Sequence, residues 1–308
     1  MKTIAIVATG GTIAGTGKKE KQQLIMQEKL ILIQLLKQFQ KFNEVAHIKE
    51  YQLMNIDSNE MTHEKWLILK NNIEEILSDD TIDGAVVTHG TDTLDETAYF
   101  LTLTLNTPKP VVLTGAMRPA TATSADGPFN LYQAICLACH GESYNRGVLA
   151  LFSNTIYSGR DIEKVNNFKI DAFDQRSLGC LGYMQDQEVY FYTQTSKIHT
   201  VKSRFNKRID SIKSVAIAFY YSGADAKILY DLASSHEGIV IAGSGSGNYS
   251  QAWLKAIEEL SEKGTIFVRS SRISQGIVLM MKFLIHIIYV FLQIHYHHKK
   301  QEFYSCLL

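Results

Sequence analysis

The sequence has no excess of charge of either sign. Lysine plus arginine number 31 and aspartate plus glutamate number 31, which leaves a formal net charge of zero. That balance excludes the electrostatic footprint of a nucleic-acid or acidic-surface binder, and a small molecule is the expected partner. Cysteine is scarce. The four residues at 136, 139, 180 and 306 are too few and too irregularly placed for a disulfide framework. Cys136 and Cys139 have C-x-x-C spacing but fall in an expected helix over 129–138, and they read as core thiols rather than a redox pair. Repeats and low-complexity tracts are absent. Met1-Lys2 runs straight into an apolar strand, without a charged n-region and an apolar h-region, so the chain as written is expected in the cytoplasm. A mature form with its signal removed would begin the same way, which leaves the periplasm as the alternative. No apolar run spans a membrane uninterrupted: 277–296 nearly has the length, but Lys282, His286, Gln293 and His295 break it, and no membrane partner is expected. His295, His297 and His298 read as a solvated tail, so no metal is expected either.

What is present is enough apolar residue, 45% of 308, to fill a sizeable core. Short β-rich runs over 3–8, 52–56, 84–89, 111–114, 147–152, 215–218, 238–242 and 265–269 alternate with helical patterns near 61–77, 93–102, 130–139, 224–235 and 249–263. This rhythm predicts an α/β fold built on a mainly parallel sheet. The polar and basic stretch around 196–212 breaks it and reads as a linker. It separates a larger N-terminal domain, 1–195, from a smaller C-terminal α/β domain, 213–308, whose tail is atypical from about 280. Ligands of such sheets bind where strands end and helices begin.

The first such loop, Thr9-Gly10-Gly11-Thr12, opens the stretch ATGGTIAGTG. It lacks the lysine of a phosphate-binding P-loop, since Thr16 stands in that place, and it lacks the G-x-G-x-x-G order of a dinucleotide site. An ATP- or NAD-binding protein is therefore the weaker reading, and no cofactor is expected. The second and third loops, Asp57-Ser58-Asn59-Glu60 and His89-Gly90-Thr91-Asp92-Thr93, are also rich in hydroxyl groups. If the loops converge, Thr12 and Thr91 face one pocket, which suggests covalent catalysis by an activated hydroxyl. Lys164, after a later strand, could activate a threonine if burial keeps its amine neutral. Asp92 could hold that lysine or bind a substrate ammonium, and backbone N–H groups beside Gly10, Gly11 and Gly90 could receive an oxyanion. The plainer reading of each loop alone is helix capping, with Thr91-Asp92-Thr93 starting a helix.

Together the segments 8–15 (ATGGTIAG) and 88–98 (THGTDTLDETA) resemble the two signature segments of bacterial L-asparaginases. The resemblance continues through Asn55-Ile56-Asp57-Ser58, Gly115-Ala116-Met117-Arg118-Pro119, 124–132 and Val268-Arg269-Ser270-Ser271-Arg272, and covers about 1–21 and 42–279. It implies hydrolysis of L-asparagine to L-aspartate and ammonia, in some members with L-glutamine as a secondary substrate, by a homotetramer without metal or organic cofactor. By the same resemblance Thr12 is the acyl-accepting nucleophile, Thr91 is a second catalytic threonine with Lys164 as its activating partner, and Asp92 holds the substrate α-ammonium. Ser58 and Asn59 form a substrate-binding pair, and Asn248 is contributed to the site of a neighbouring subunit.

Two stretches depart from that pattern. The family carries a lid with a catalytic tyrosine where this chain has no tyrosine between Lys21 and Lys41, and the text beyond Leu279 replaces an acidic residue and a closing helix. Codon degeneracy lets both stretches, 22–40 and 281–308, spell family-like segments when read one frame away, so both read as out-of-frame. The alternative to an active asparaginase is then a catalytically impaired relative that retains only amino-acid binding.

Overall fold

The computed structural model describes residues 1–11, 42–175 and 178–278. Thr12, the stretch 22–40 and the tail 281–308 lie outside the described residues. The chain divides into two compact units, Met1–Arg208 and Ile209–Leu308.

The first unit is built on an eight-stranded sheet. Its opening strand β1 (Thr3–Gly10) is buried from Ile4 onward, as a parallel strand covered on both faces must be, and this explains its unbroken apolar run. β1 lies between β2 (His47–Ile56) and β3 (Gly84–Thr88), followed by β4 (Val111–Thr114) and β5 (Val148–Phe152), all parallel. The sheet continues antiparallel through β6 (Thr155–Ser158), then β9 (Gly182–Gln185) and β10 (Glu188–Phe191). A separate two-stranded ribbon pairs β7 (Glu163–Lys164) with β8 (Phe173–Asp174).

Helices cover the faces: α1 (Phe42–Val45), α2 (His63–Ser78), α3 (Leu94–Thr104) and α4 (Gly127–Cys139). α2 starts where the Thr62 hydroxyl accepts from Lys65 N, and it buries Trp66, Leu69, Ile73 and Leu77, the spacing of one apolar stripe. α3 is buried on almost every side, and its Thr102 and Thr104 hydroxyls satisfy themselves by donating to the carbonyls of Ala98 and Phe100. Cys136 and Cys139 on α4 are free thiols. Burial pushes Cys136 up to about 12, far from the thiolate a redox pair needs.

The second unit has a three-stranded parallel sheet, β11 (Val215–Phe219), β12 (Gly238–Gly243) and β13 (Ile266–Ser271). Its helices are α5 (Lys227–Ala233), shorter than the expected 224–235, and α6 (Gln251–Glu262). Ser250 caps α6 by accepting from Trp253 N, while the fully buried Trp253 ring donates from Nε1 to the Ala224 carbonyl at 3.0 Å. Among the described residues no helix is long and apolar enough to cross a membrane.

The mixed α/β architecture with a large, mainly parallel sheet agrees with the sequence expectation. Two differences stand out. β2 begins at His47 rather than near 52, because its early residues carry the charges of an exposed sheet edge. The antiparallel extension from β6 to β10 was not expected, since its strands are short and alternate with polar residues.

Candidate active site

The carboxyl ends of β1, β2, β3 and β4 meet in the first unit, and glycine lets them. Gly11, just past β1, has φ +86, and a Cβ there would fall 2.5 Å from Gly90 N and Cα; one at Gly90 would fall 2.8 Å from the Ser58 side chain. Three strand-end loops thus pack backbone against backbone around one place, as the parallel arrangement predicts.

The Gly90-Thr91 turn is held from beneath by a chain of hydrogen bonds. Trp66 Nε1 donates to Thr97 Oγ1 at 2.8 Å, Thr97 Oγ1 lies 3.0 Å from His89 Nε2, and His89 Nδ1 lies 2.7 Å from the Gly90 carbonyl. A carbonyl can only accept, so His89 carries its proton on Nδ1 and accepts from Thr97 on Nε2. Burial of the whole ring pushes its pKa down and keeps it neutral.

Above this support the expected site residues gather. The Thr91 hydroxyl is buried, and Lys164 Nζ reaches it at 2.9 Å. The same ammonium lies 2.5 Å from Asp92 Oδ1. The lysine side chain is 14% exposed and the aspartate 56%, so the pair spans from interior to open mouth. Lys164 sits on the two-residue strand β7, and the buried Asp95 at the start of α3 accepts from the Lys164 backbone N at 3.4 Å. Asp92 Oδ2 accepts in turn from Asn59 Nδ2 at 3.3 Å. Asn59 follows the buried Ser58 on a single turn, Ser58–Glu60, that Asp57 caps. Thr93 makes no cap bond to its helix; it donates instead to the Ser58 carbonyl at 2.7 Å, tying the second and third loops together. Plain capping therefore does not account for Thr91 or Thr93.

The loop after β4 is fixed from α4. Asn130 Nδ2 donates to the Gly115 carbonyl at 3.0 Å, and Asp126 accepts from Met117 N and Arg118 N, each at 2.9 Å. This lock joins two sequence segments, Gly115–Pro119 and 124–132, that had no separate chemical reason to be singled out.

Of the residues expected at the site, Thr91, Asp92, Lys164, Ser58 and Asn59 come together. Thr12 lies outside the described residues, directly after Gly11. Asn248 lies in the second unit on a loop closed by mutual backbone bonds between Ser244 and Asn248, at 2.6 and 2.8 Å. The Arg269 guanidinium on β13 fastens that loop, donating to the carbonyls of Ser246 and Gly247 at 2.7 and 2.8 Å and to Asn248 Oδ1 at 3.2 Å. Sequence reasoning missed Asp57, His89, Asp95 and Arg269 as supports. Asp57 alone carried a signal, as an aspartate two residues ahead of an asparagine at a strand end.

Residues 3–197 match the family model "Asparaginase, N-terminal", and residues 214–284 match "Glutaminase/Asparaginase C-terminal domain". The "Probable L-asparaginase periplasmic" of Haemophilus influenzae is 39% identical over 278 residues, spanning 90% of this chain and 79% of that protein. The "Glutaminase-asparaginase" of Pseudomonas fluorescens biotype A is 37% identical, spanning 90% of this chain and 77% of that protein. A crystal structure titled as a probable cytoplasmic L-asparaginase from Campylobacter jejuni superposes with a TM-score of 0.89 at 37% identity, covering 100% of this chain and 94% of that one.

Proposed function

Because the chain belongs to the asparaginase family, we propose that it hydrolyses the side-chain amide of L-asparagine to L-aspartate and ammonia through a threonine ester, with L-glutamine as a second substrate. The single observation that carries the reading is the Thr91–Lys164 contact of 2.9 Å, backed by Asp92 at 2.5 Å.

In this reading the Thr12 hydroxyl adds to the amide carbonyl and its proton passes to the leaving nitrogen, so that ammonia departs and an acyl ester remains on Thr12. Water then adds to the ester. Thr91, whose hydroxyl is held against Lys164 Nζ, takes one proton from the attacking water and passes its own to Thr12 Oγ as collapse frees aspartate. N–H groups beside Gly11 and Gly90 receive the oxyanion in both steps. Nucleophile, base and charge all come from side chains and backbone.

Substrate binding follows from the hydrogen-bond inventory. Asn59 Nδ2 faces two carboxylates, Asp57 Oδ1 at 2.7 Å and Asp92 Oδ2 at 3.3 Å, so the side chain offers its amide oxygen to a ligand. That oxygen and the Asp92 carboxylate suit an α-ammonium, and Ser58 supplies a hydroxyl beside them. Asn248, presented by the Arg269-braced loop, completes the site of a neighbouring subunit in a homotetramer.

The test is ammonia release from asparagine by the purified chain. Active parent protein, with Thr91→Ala and Thr12→Ala each slowed by about a thousandfold or more, supports the reading; a Thr12→Ala variant as active as the parent removes the assigned nucleophile. Light scattering at four times 34.7 kDa checks the assembly.

A further inference from the structure

We infer that Asp57 is a positioning residue for this site: its carboxylate turns the Asn59 amide so that the oxygen, and not the NH2 group, meets a bound ammonium. The inference rests on the reading of the pocket as an α-amino-acid site.

One carboxylate oxygen does two things. Asp57 Oδ1 accepts from the Asn59 backbone N at 2.8 Å and from Asn59 Nδ2 at 2.7 Å. The first bond caps the turn Ser58–Glu60, as an aspartate in this place ordinarily does. The second adds nothing to the cap. It directs Nδ2 toward Asp57, and the same nitrogen also reaches Asp92 Oδ2 at 3.3 Å. A flipped amide would set its oxygen against two anionic oxygens, so Coulomb repulsion selects one orientation. A series of contacts then runs from Asp57 through Asn59, Asp92 and Lys164 to Thr91, joining the exposed mouth to the buried hydroxyl.

Among the described residues, removing Asp57 leaves the Asn59 amide nitrogen with the 3.3 Å bond, to a carboxylate that Lys164 already holds at 2.5 Å. The amide is then free to rotate and present N–H donors to a cation, which repels it. A residue that served only as a cap would behave differently: its loss would loosen the turn and weaken ligands with and without an amine alike.

Calorimetric dissociation constants for L-aspartate and for succinate, which lacks the amine, separate these cases in the parent chain and in Asp57→Ala, Asp57→Asn, Asn59→Ala and Asp57→Ala/Asn59→Ala. The inference expects Asp57→Ala to weaken aspartate about tenfold more than it weakens succinate, because the lost cap bond acts on both ligands and the released amide only on the one with an amine. Asp57→Asn, whose amide oxygen accepts from both Asn59 nitrogens, should stay within about threefold of the parent for aspartate. The double variant should prefer aspartate over succinate to the same extent as Asn59→Ala, because Asp57 acts on the amine through the Asn59 side chain. Equal weakening toward aspartate and succinate, a double variant clearly less selective for aspartate over succinate than Asn59→Ala, or an Asp57→Ala chain that binds aspartate as the parent does overturns this inference and leaves the proposed function standing. A parent chain that binds no aspartate and releases no ammonia from asparagine overturns the proposed function, and this inference with it.

Discussion

His89 illustrates how a residue buried beneath the Gly90-Thr91 turn can set its position. Its ring is fully enclosed, and its two nitrogens are committed in opposite senses, one donating to the Gly90 carbonyl and one accepting from Thr97. A second proton would have to displace the Thr97 hydrogen and be desolvated, so the folded protein resists it. The unfolded chain does not: its histidine takes a proton below about pH 6.5. Unfolding therefore takes up a proton in acid, and stability should fall as pH drops below about 6.5 while showing no dependence on this group above it. Urea denaturation at pH 7.5 and 5.5 should reveal the loss in the parent, and a smaller pH effect in His89→Gln. Lys164 allows a second test at the same scale. Lys164→Arg keeps the positive charge and can keep the ion pair with Asp92, but a guanidinium does not give up its proton in this pH range. If Lys164 works as a base, Lys164→Arg should be nearly as slow as Lys164→Met; if it acts only as a charge, Arg should rescue most of kcat.

At the scale of elements, the critical piece is very small. β7 is two residues long, and among the described residues it pairs with the equally short β8 alone. Asp95 joins it to the start of α3 through the Lys164 backbone N. Asp95→Ala should lower kcat by about tenfold with KM little changed, because the lysine loses its placement while the ammonium-binding groups stay. Asp95→Asn retains an oxygen that can accept the same bond and should recover most of the loss. This is also where reading the sequence reaches its limit. β1 and β3 announce themselves because strands buried on both faces must be apolar throughout, and the loops after them carry glycines that a close backbone approach requires. Two-residue strands have no period to detect, and their position follows from contacts such as Asp95 to Lys164 that lie 69 residues apart. The sequence did single out Lys164, through family resemblance and its place after a strand; the geometry that brings it to Thr91 appears only in three dimensions. Asp57 and Arg269 were present within resemblance segments without a role: the spacing of Asp57 to Asn59 marks a turn but not an oriented amide, and a guanidinium that closes a loop leaves no spacing signature.

The whole molecule raises the question of whether Asn248 shares a site with Thr91. It lies on the second unit, on a loop that Arg269, Ser271 and its own backbone bonds hold in one shape. With Oδ1 accepting from Arg269, the side chain presents its NH2 as the donor, complementary to an acceptor such as a substrate carboxylate. Such a preformed loop has value to catalysis only if it reaches a substrate, and in the proposed assembly that substrate sits on a neighbouring copy. Mixing two inactive variants decides the point. Thr91→Ala subunits lack the second threonine but carry a sound Asn248, and Asn248→Ala subunits carry the reverse. When they are unfolded together and refolded, a site shared across a two-fold interface regains both residues in half of each mixed pair, so random mixing should restore about a quarter of parental activity. A site built within one chain regains nothing, since every site then keeps one lesion. Activity in the refolded mixture no higher than the sum of the two variants refolded separately would place Asn248 in the same chain as Thr91, or outside the site altogether; Arg269→Met, which frees the loop, should in the shared case reduce activity without altering the quarter recovered on mixing with Thr91→Ala.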